Sequence, residues 1–144
     1  DDPPLFESLT IWEHLMFIAS SYRLEDWESS AESLLDRFDL SDKRKTLASQ
    51  LSRGMRQKVA IVCAYLRRPD VLLLDEPMTG LDPPSIRRLK ETITEQAQRG
   101  ATVLVSSHLL TLVEDICDHL QKNWTVRLVQ LRLATASFHD GIAI

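Results

Sequence analysis

Residues 71–77 of this chain read Val-Leu-Leu-Leu-Asp-Glu-Pro, a short apolar run that ends in two carboxylates. A continuous apolar run between polar residues is typical of a strand buried on both faces of a parallel sheet. Residues 101–106, Ala-Thr-Val-Leu-Val-Ser, form a second run of this kind. Between the two runs, Pro84 falls where the first turn of a helix tolerates proline, and Gly100 is a typical helix stop. This order of strand, helix and strand predicts an α/β fold built on a parallel sheet.

Three helices are predicted ahead of this unit. Residues 10–13, Thr-Ile-Trp-Glu, form a capping box, in which a hydroxyl and a carboxylate bond to free backbone amides at a helix start. A second helix begins near Trp27, and a third begins directly after Ser52 and ends before Pro69, because proline lacks the amide that a helix interior needs. Apolar residues at helical spacing support the second and third helices, and the first is expected to extend to about Ala19. We therefore expect an all-helical part at the N-terminus.

Two further elements are predicted after the second strand. Apolar residues at helical spacing indicate one more helix, at Leu112, Val113, Ile116 and Leu120. Farther on, an alternating pattern over residues 126–133 is compatible with a strand. Residues 134–144 show no pattern that predicts an element.

The composition is that of a soluble globular domain of 144 residues. The formal net charge is −4 and the basic residues are scattered, so we expect no direct nucleic-acid ligand. Cys63 and Cys117 lie in apolar-periodic segments without metal-type spacing, which favours free thiols. No apolar run approaches the roughly twenty residues that span a bilayer, so we expect any membrane association to depend on a partner.

Candidate chemistry lies where the two predicted strands end. Asp75 and Glu76 follow the first strand and His108 follows the second, and parallel strands bring such residues to one edge of the sheet, where open α/β sheets place ligands. One carboxylate there can hold Mg²⁺, directly or through water, and its neighbour can deprotonate an attacking water. On spacing alone, two alternatives remain open: the carboxylates are solvated strand-end charges, and the histidine is structural, as a lone histidine usually is.

A second candidate site is the start of the third helix. Ser52 supplies a hydroxyl, Gly54 lacks side-chain bulk, and the free amides of the first turn suit an anion. Arg53, Arg56 and Lys58 add positive charge. The alternative is an ordinary N-cap serine on a surface helix with a solvated basic face.

Together, four segments resemble the ATP-binding-cassette (ABC) ATPase domain. In chain order they are Leu-Ser-Arg-Gly-Met-Arg-Gln at residues 51–57, Leu-Leu-Leu-Asp-Glu-Pro at 72–77, Thr-Gly-Leu-Asp-Pro at 79–83 and Ser-Ser-His at 106–108. The resemblance extends from the start of the chain to about Leu120. It implies an incomplete P-loop NTPase sheet with an N-terminal helical subdomain, and ATP and Mg²⁺ as ligands.

The resemblance also implies a role for each matching residue. Asp75 is similar to the magnesium-linked Walker B aspartate, Glu76 to the catalytic base and His108 to the switch histidine. Asp82 is similar to the D-loop aspartate at a dimer seam. The signature loop, which contacts ATP held by the opposite subunit, would comprise Leu51, Ser52, Arg53, Gly54 and Met55.

The chain departs from the family pattern in several places. Arg53 and Met55 stand where the consensus signature has Gly and Gln, a variant that resembles bacterial exporter-type ATPases. The glutamine of the Q-loop would fall near Asp1 or Asp2, so it is replaced by a carboxylate or lies outside the chain. The glycines are followed by Met, Leu, Ala and Ile, so the chain contains no Gly-Lys-Ser/Thr phosphate-binding loop.

From these departures we expect the C-terminal portion of a cassette, in three parts. Residues 1–68 would form the helical subdomain with the signature, 69–120 the C-terminal part of the ATPase core, and 121–144 a divergent tail with a truncated or frame-shifted end. We expect no hydrolysis by this chain alone, and we expect the missing central strand to leave an apolar sheet face uncovered.

The resemblance implies an ATPase subunit that couples hydrolysis at a dimer interface to transport across a membrane. Its partners would be a second ATPase subunit, identical or different, and a transmembrane permease that holds it at the inner face of the cell membrane. Two other interpretations remain open: a non-transport cassette ATPase, and a non-catalytic remnant or interaction module.

Overall fold

The computed structural model describes residues 3–108, Ile116, and the backbone of residues 119–121 and 128–131. It confirms the α/β class and the predicted order of elements through the second strand. The helices and strands are α1 (Ile11–Tyr22), α2 (Trp27–Arg37), α3 (Arg53–Leu66), β1 (Val71–Asp75), α4 (Pro83–Gln98), β2 (Thr102–Ser106), β3 (His119–Gln121) and β4 (Leu128–Leu131).

The predicted helix boundaries have the expected local causes. At the start of α1, the amide of Glu13 donates to the Thr10 hydroxyl at 3.2 Å and the amide of Thr10 donates to the Glu13 carboxylate at 2.7 Å, which is the complete capping box. Ser52 caps α3 by accepting from the amide of Met55 at 3.3 Å. Past the end of α4, Gly100 has a φ of +95°, a conformation that favours glycine and ends the helix.

The sheet has the strand order β1-β2-β4-β3. The first two strands are parallel, as predicted, with Asp75 opposite Ser106. β4 pairs antiparallel with β2 and β3, which confirms a strand within residues 126–133. The sheet is therefore mixed, and its parallel pair brings the carboxyl ends of β1 and β2 to one edge.

The prediction that a helix after β2 includes Leu120 is wrong. Leu120 lies in β3, opposite Val129 of β4. Apolar spacing over a short segment does not distinguish a helix from a strand, and here antiparallel pairing determines the backbone. Residues 109–115 of that prediction, the Cys117 thiol and residues 134–144 lie outside the described residues.

The prediction that β1 is buried on both faces is also wrong. Leu72 and Leu74 are buried in a single hydrophobic cluster with residues of α3, α4 and β2, whereas Val71 is 58% exposed and Leu73 is 72% exposed. Among the described residues, helices pack on one face of this strand only. The expected uncovered apolar sheet face is thus confirmed on β1.

Other sequence expectations concern membranes and thiols. Among the described residues, every helix is too short or too polar to cross a bilayer. Cys63 is a free, partly buried cysteine, as predicted, and burial raises the pKa of its thiol to about 12. A thiol of this kind is a packing group rather than a nucleophile at neutral pH.

A bidentate ion pair joins α2 to α4. The guanidinium of Arg37 donates to both oxygens of Glu95 at 2.6 Å, and Glu91 lies 3.9 Å from the same guanidinium. This hydrogen bonding by Arg37 holds the pKa of Glu95 below its ordinary value of 4.5. The pair fixes the second helix against the helix that packs on the sheet.

Replacing Glu95 with Gln should therefore make stability less dependent on acid. Because the folded-state pKa is lowered, the pair contributes fully above the ordinary value of 4.5 and is lost as pH falls through the folded-state pKa. At pH 7 we expect the free energy of unfolding of the wild type to exceed that of Glu95→Gln by about 0.5–1 kcal/mol. The difference is small because solvent screens the ion pair. Urea unfolding at pH 7 and pH 3 measures this, with Glu25→Gln as the exposed control; a difference independent of pH would contradict it.

Candidate active site

Glu76 leaves β1 in an uncommon backbone conformation. Its φ is +44°, in the left-handed region that a residue other than glycine, asparagine or aspartate rarely adopts. Such a conformation costs about 1–3 kcal/mol and persists only where surrounding bonds hold it. Here the amide of Glu76 donates to Ser106, with the backbone oxygen at 3.0 Å and the hydroxyl at 3.3 Å. The end of β2 therefore determines where this carboxylate lies.

His108 contacts both oxygens of the Glu76 carboxylate. The backbone amide of His108 donates to Oε1 at 2.7 Å, and the imidazole Nδ1 lies 2.8 Å from Oε2. The hydroxyl of Thr79 is 3.5 Å from Oε2. The prediction that these two side chains meet at one sheet edge is confirmed. The imidazole is 64% exposed, so the pair faces solvent and is accessible to a ligand.

Asp75 lies at the same edge, in the last position of β1. Its side chain is exposed and accepts a short hydrogen bond from the hydroxyl of Ser106. Ser106 belongs to the Ser-Ser-His segment at residues 106–108, in which the family resemblance assigns a role to His108 but none to Ser106. The sequence could have indicated this contact, because parallel pairing of the two apolar runs places Asp75, the last residue of β1, opposite Ser106, the last residue of β2.

The donor set at this edge fits Mg²⁺ delivered with a nucleotide. Mg²⁺ prefers hard oxygen ligands and is usually held by one or two carboxylates together with substrate phosphates and water. Asp75 offers one such exposed carboxylate beside Glu76. Within the described part of the chain, no group of three or more ligating side chains is placed to hold an ion by itself. A single exposed carboxylate of this kind fits an ion whose other ligands are phosphate oxygens and water.

The start of α3 carries less available positive charge than the anion-binding site predicted there. Ser52 caps the helix, but Arg56 forms an ion pair with Glu7 at 2.6 Å and donates to the backbone oxygen of Ala48 at 3.0 Å. Lys58 lies 3.5 Å from the carboxylate of Asp82. The expectation that Arg56 and Lys58 add charge at Ser52 is thus wrong, since intramolecular carboxylates and a carbonyl engage them. Arg53 remains exposed beside Ser52.

Gly54 is needed for a close backbone contact. A Cβ atom at this position would lie 2.6 Å from the backbone oxygen of Gly80, in the turn between β1 and α4. The side-chain amide of Gln57 donates from Nε2 to the backbone oxygen of Pro77 in the same turn at 3.3 Å. The first turn of α3 is therefore packed directly against residues 77–80.

Replacing Gly54 with Ala should lower the unfolding temperature. Alanine improves helix propensity by about 1 kcal/mol, but overpacking against a backbone atom costs about 1–3 kcal/mol. The carbonyl of Gly80 cannot rotate away as a side chain does, so the clash exceeds the gain. Calorimetry of the chain with and without Gly54→Ala measures the effect. An unchanged or raised unfolding temperature would show that the contact is not tight.

Asp82 links this turn to both helices. It precedes α4, and its carboxylate accepts from the hydroxyl of Ser85 and lies 3.5 Å from Lys58 of α3. The Ser85 hydrogen bond, followed by the charge of Lys58, holds the pKa of Asp82 below its usual range. Asp82 is thus an ionised, exposed carboxylate placed between the start of α3 and the start of α4.

Residues 4–114 match the family described as "AAA domain, putative AbiEii toxin, Type IV TA system", so the chain contains a domain of the AAA type. Among curated proteins, EcsA of Bacillus subtilis, an ABC-type transporter ATP-binding protein, is 41% identical over 120 residues, which cover 82% of this chain and 49% of EcsA. YthP of the same organism, an uncharacterized ABC transporter ATP-binding protein, is 38% identical, with coverage of 82% and 51%.

A solved structure of an ATP-binding subunit of an ABC transporter superposes with a TM-score of 0.78 at 41% identity, covering 82% of this chain and 50% of that one. The chain belongs to the ABC ATPase family. It spans about half the length of the curated relatives it matches.

Proposed function

We propose that this chain is the C-terminal part of an ABC transporter ATPase subunit, which hydrolyses ATP at a dimer interface and couples hydrolysis to transport across a membrane. The observation that carries the proposal is the Glu76 carboxylate, held on both oxygens by His108 and set beside Asp75 at the carboxyl end of parallel strands. Phosphoryl transfer to water needs such a positioned base. The family membership supports the same activity.

In this proposal the three side chains have separate roles. Glu76 orients a water molecule and accepts its proton, while His108 holds the carboxylate and polarises the phosphate that is attacked. Asp75 would hold Mg²⁺, directly or through water. Mg²⁺, when bound, would neutralise charge that develops on the phosphate oxygens.

The signature residues would act on the partner subunit's nucleotide. Ser52, Arg53 and Gly54 lie at the exposed start of α3, where backbone amides and the helix dipole favour an anion. Leu51 and Met55 complete the loop and pack towards the core. Asp82, exposed in the turn that Gly54 contacts, would lie at the seam between the two subunits.

We also propose a division of labour along the chain. Residues 1–68 would form the helical subdomain, 69–120 part of the ATPase core and 121–144 a divergent tail. Phe6 and three residues of α1, Met16, Phe17 and Tyr22, are large exposed apolar side chains, and Phe6 contacts Phe17 with ring centroids 5.3 Å apart. Exposed apolar side chains on this helix suit a protein partner, here a permease that would hold the subunit at the inner face of the membrane.

The test is ATP hydrolysis by a longer polypeptide. The gene should be sequenced upstream of the codon for Asp1, and the extended reading frame expressed alongside the present chain. We expect an in-frame Gly-x-x-x-x-Gly-Lys-Ser/Thr segment, with Mg²⁺-dependent ATP hydrolysis by the longer protein only. Stop codons or unrelated sequence upstream would instead support a non-catalytic remnant, and hydrolysis without any dimer formation would contradict the proposed interface.

A further inference from the structure

The Ser106 hydroxyl contacts both carboxylate-bearing residues at the end of β1. It donates a short hydrogen bond to the side chain of Asp75. It also accepts from the backbone amide of Glu76 at 3.3 Å, next to the bond that this amide makes to the Ser106 backbone oxygen at 3.0 Å. The Ser106 hydroxyl therefore donates to the carboxylate of Asp75 and accepts from the backbone amide of Glu76.

The fold places this hydroxyl there by strand register. Asp75 and Ser106 are opposite each other at the last position of the parallel pair β1 and β2. Ser106 is partly buried, while the Asp75 side chain is exposed, so the hydroxyl approaches the carboxylate from the protein side and leaves its other face to solvent. Within the part of the chain that the structure describes, Ser106 is the side-chain donor to the Asp75 carboxylate.

We propose that Ser106 is a positioning residue for the metal-binding and basic groups of the ATPase site. This inference rests on the proposed function. The hydroxyl fixes the rotamer of the Asp75 carboxylate, so that one oxygen is directed to the metal–nucleotide complex. It also helps to hold the left-handed backbone of Glu76, which directs the neighbouring carboxylate to His108. Hydrogen-bond partners of a ligating carboxylate orient it and tune metal affinity in this way.

The test compares two substitutions of the same shape in the complete subunit. Ser106→Thr keeps the hydroxyl and Ser106→Val replaces it with a methyl group, and both suit a strand. Thr102→Val is the matched control, because it removes a hydroxyl from the opposite end of β2, where Thr102 pairs with Val71. Binding of Mn²⁺ to the subunit loaded with a non-hydrolysable ATP analogue is measured by electron paramagnetic resonance, without turnover.

We expect Ser106→Val to weaken Mn²⁺ binding by roughly tenfold or more, as loss of a partner to a metal ligand does. Ser106→Thr and Thr102→Val should keep the wild-type affinity. The Mg²⁺ concentration for half-maximal hydrolysis should rise in Ser106→Val by a similar factor. A purely structural role would reduce the fraction of active protein and leave the affinity of the remaining sites unchanged.

Two outcomes would overturn the inference in different ways. Equal Mn²⁺ affinity in Ser106→Val and wild type, with nucleotide bound in both, would show that the hydroxyl does not position the metal ligand, and the proposed function would stand. A wild-type complete subunit that binds no nucleotide would overturn the proposed function, and this inference with it.

Discussion

In the complete subunit, Glu76→Gln reduces ATP turnover by roughly 10²–10⁴-fold, the usual contribution of a positioned general base. The amide is nearly the same size as the carboxylate and can still accept from the His108 backbone amide, which lies 2.7 Å from Oε1. It cannot accept a proton from water. The site therefore stays assembled while the base is lost, and we expect ATP-driven dimer closure to persist.

Steady-state phosphate release and size-exclusion chromatography with ATP measure the two effects separately. Glu25→Gln is the matched control, since Glu25 is an exposed glutamate in the loop before α2, far along the chain from the strand ends. Its turnover should equal that of wild type. Turnover by Glu76→Gln at the wild-type rate would refute the role of Glu76 as base, and loss of closure together with turnover would assign it to binding instead.

Ser52→Arg should block ATP-driven closure while each monomer still binds ATP. Ser52 is exposed at the start of α3, and its hydroxyl accepts from the amide of Met55. Arginine fills the space in front of these amides with a long side chain and removes the cap, which costs about 1 kcal/mol of helix stability. Because this loop would contact the nucleotide of the opposite subunit, dimer-dependent turnover should fall by roughly 10²-fold or more.

Closure is measured by analytical ultracentrifugation with ATP in the Glu76→Gln background, and monomer affinity by fluorescence of a labelled nucleotide. Ser49→Arg is the control, because it adds the same side chain at an exposed position three residues earlier. The Ser49→Arg variant should form the ATP-driven dimer to the same extent as the protein without this substitution. Equal loss of monomer affinity and closure in Ser52→Arg would place the loop at the nucleotide of its own subunit and refute action across the interface.

Local signals account for what the sequence predicts well. The capping box at Thr10 and the cap at Ser52 depend on residues within three positions of each other, so helix starts follow from short segments. The proximity of Glu76 and His108 follows from a single assumption, that the two apolar runs are parallel. The first conclusion needs only a few neighbouring residues, and the second needs only chain order and the direction of the two strands.

The errors arise where distant packing decides. Four apolar residues in a row at 71–74 do not reveal which face the rest of the molecule covers, and Val71 and Leu73 are exposed. The partners of Arg56 and Lys58 are Glu7 and Asp82, which are 49 and 24 positions away in the chain, so spacing within α3 does not indicate them. The need for glycine at residue 54 likewise comes from a carbonyl in another segment.

Under the proposed function, the left-handed backbone of Glu76 sets fold stability against catalysis. A glycine at this position would adopt a φ of +44° without steric cost, but it would lack the carboxylate that His108 holds and to which the proposal assigns the role of base. Valine or isoleucine would have a higher conformational free-energy cost than glutamate at this φ, because β-branched residues very rarely adopt the left-handed region. Under the proposed function, the backbone strain at Glu76 is therefore a stability cost that the fold carries in order to present a carboxylate at this position.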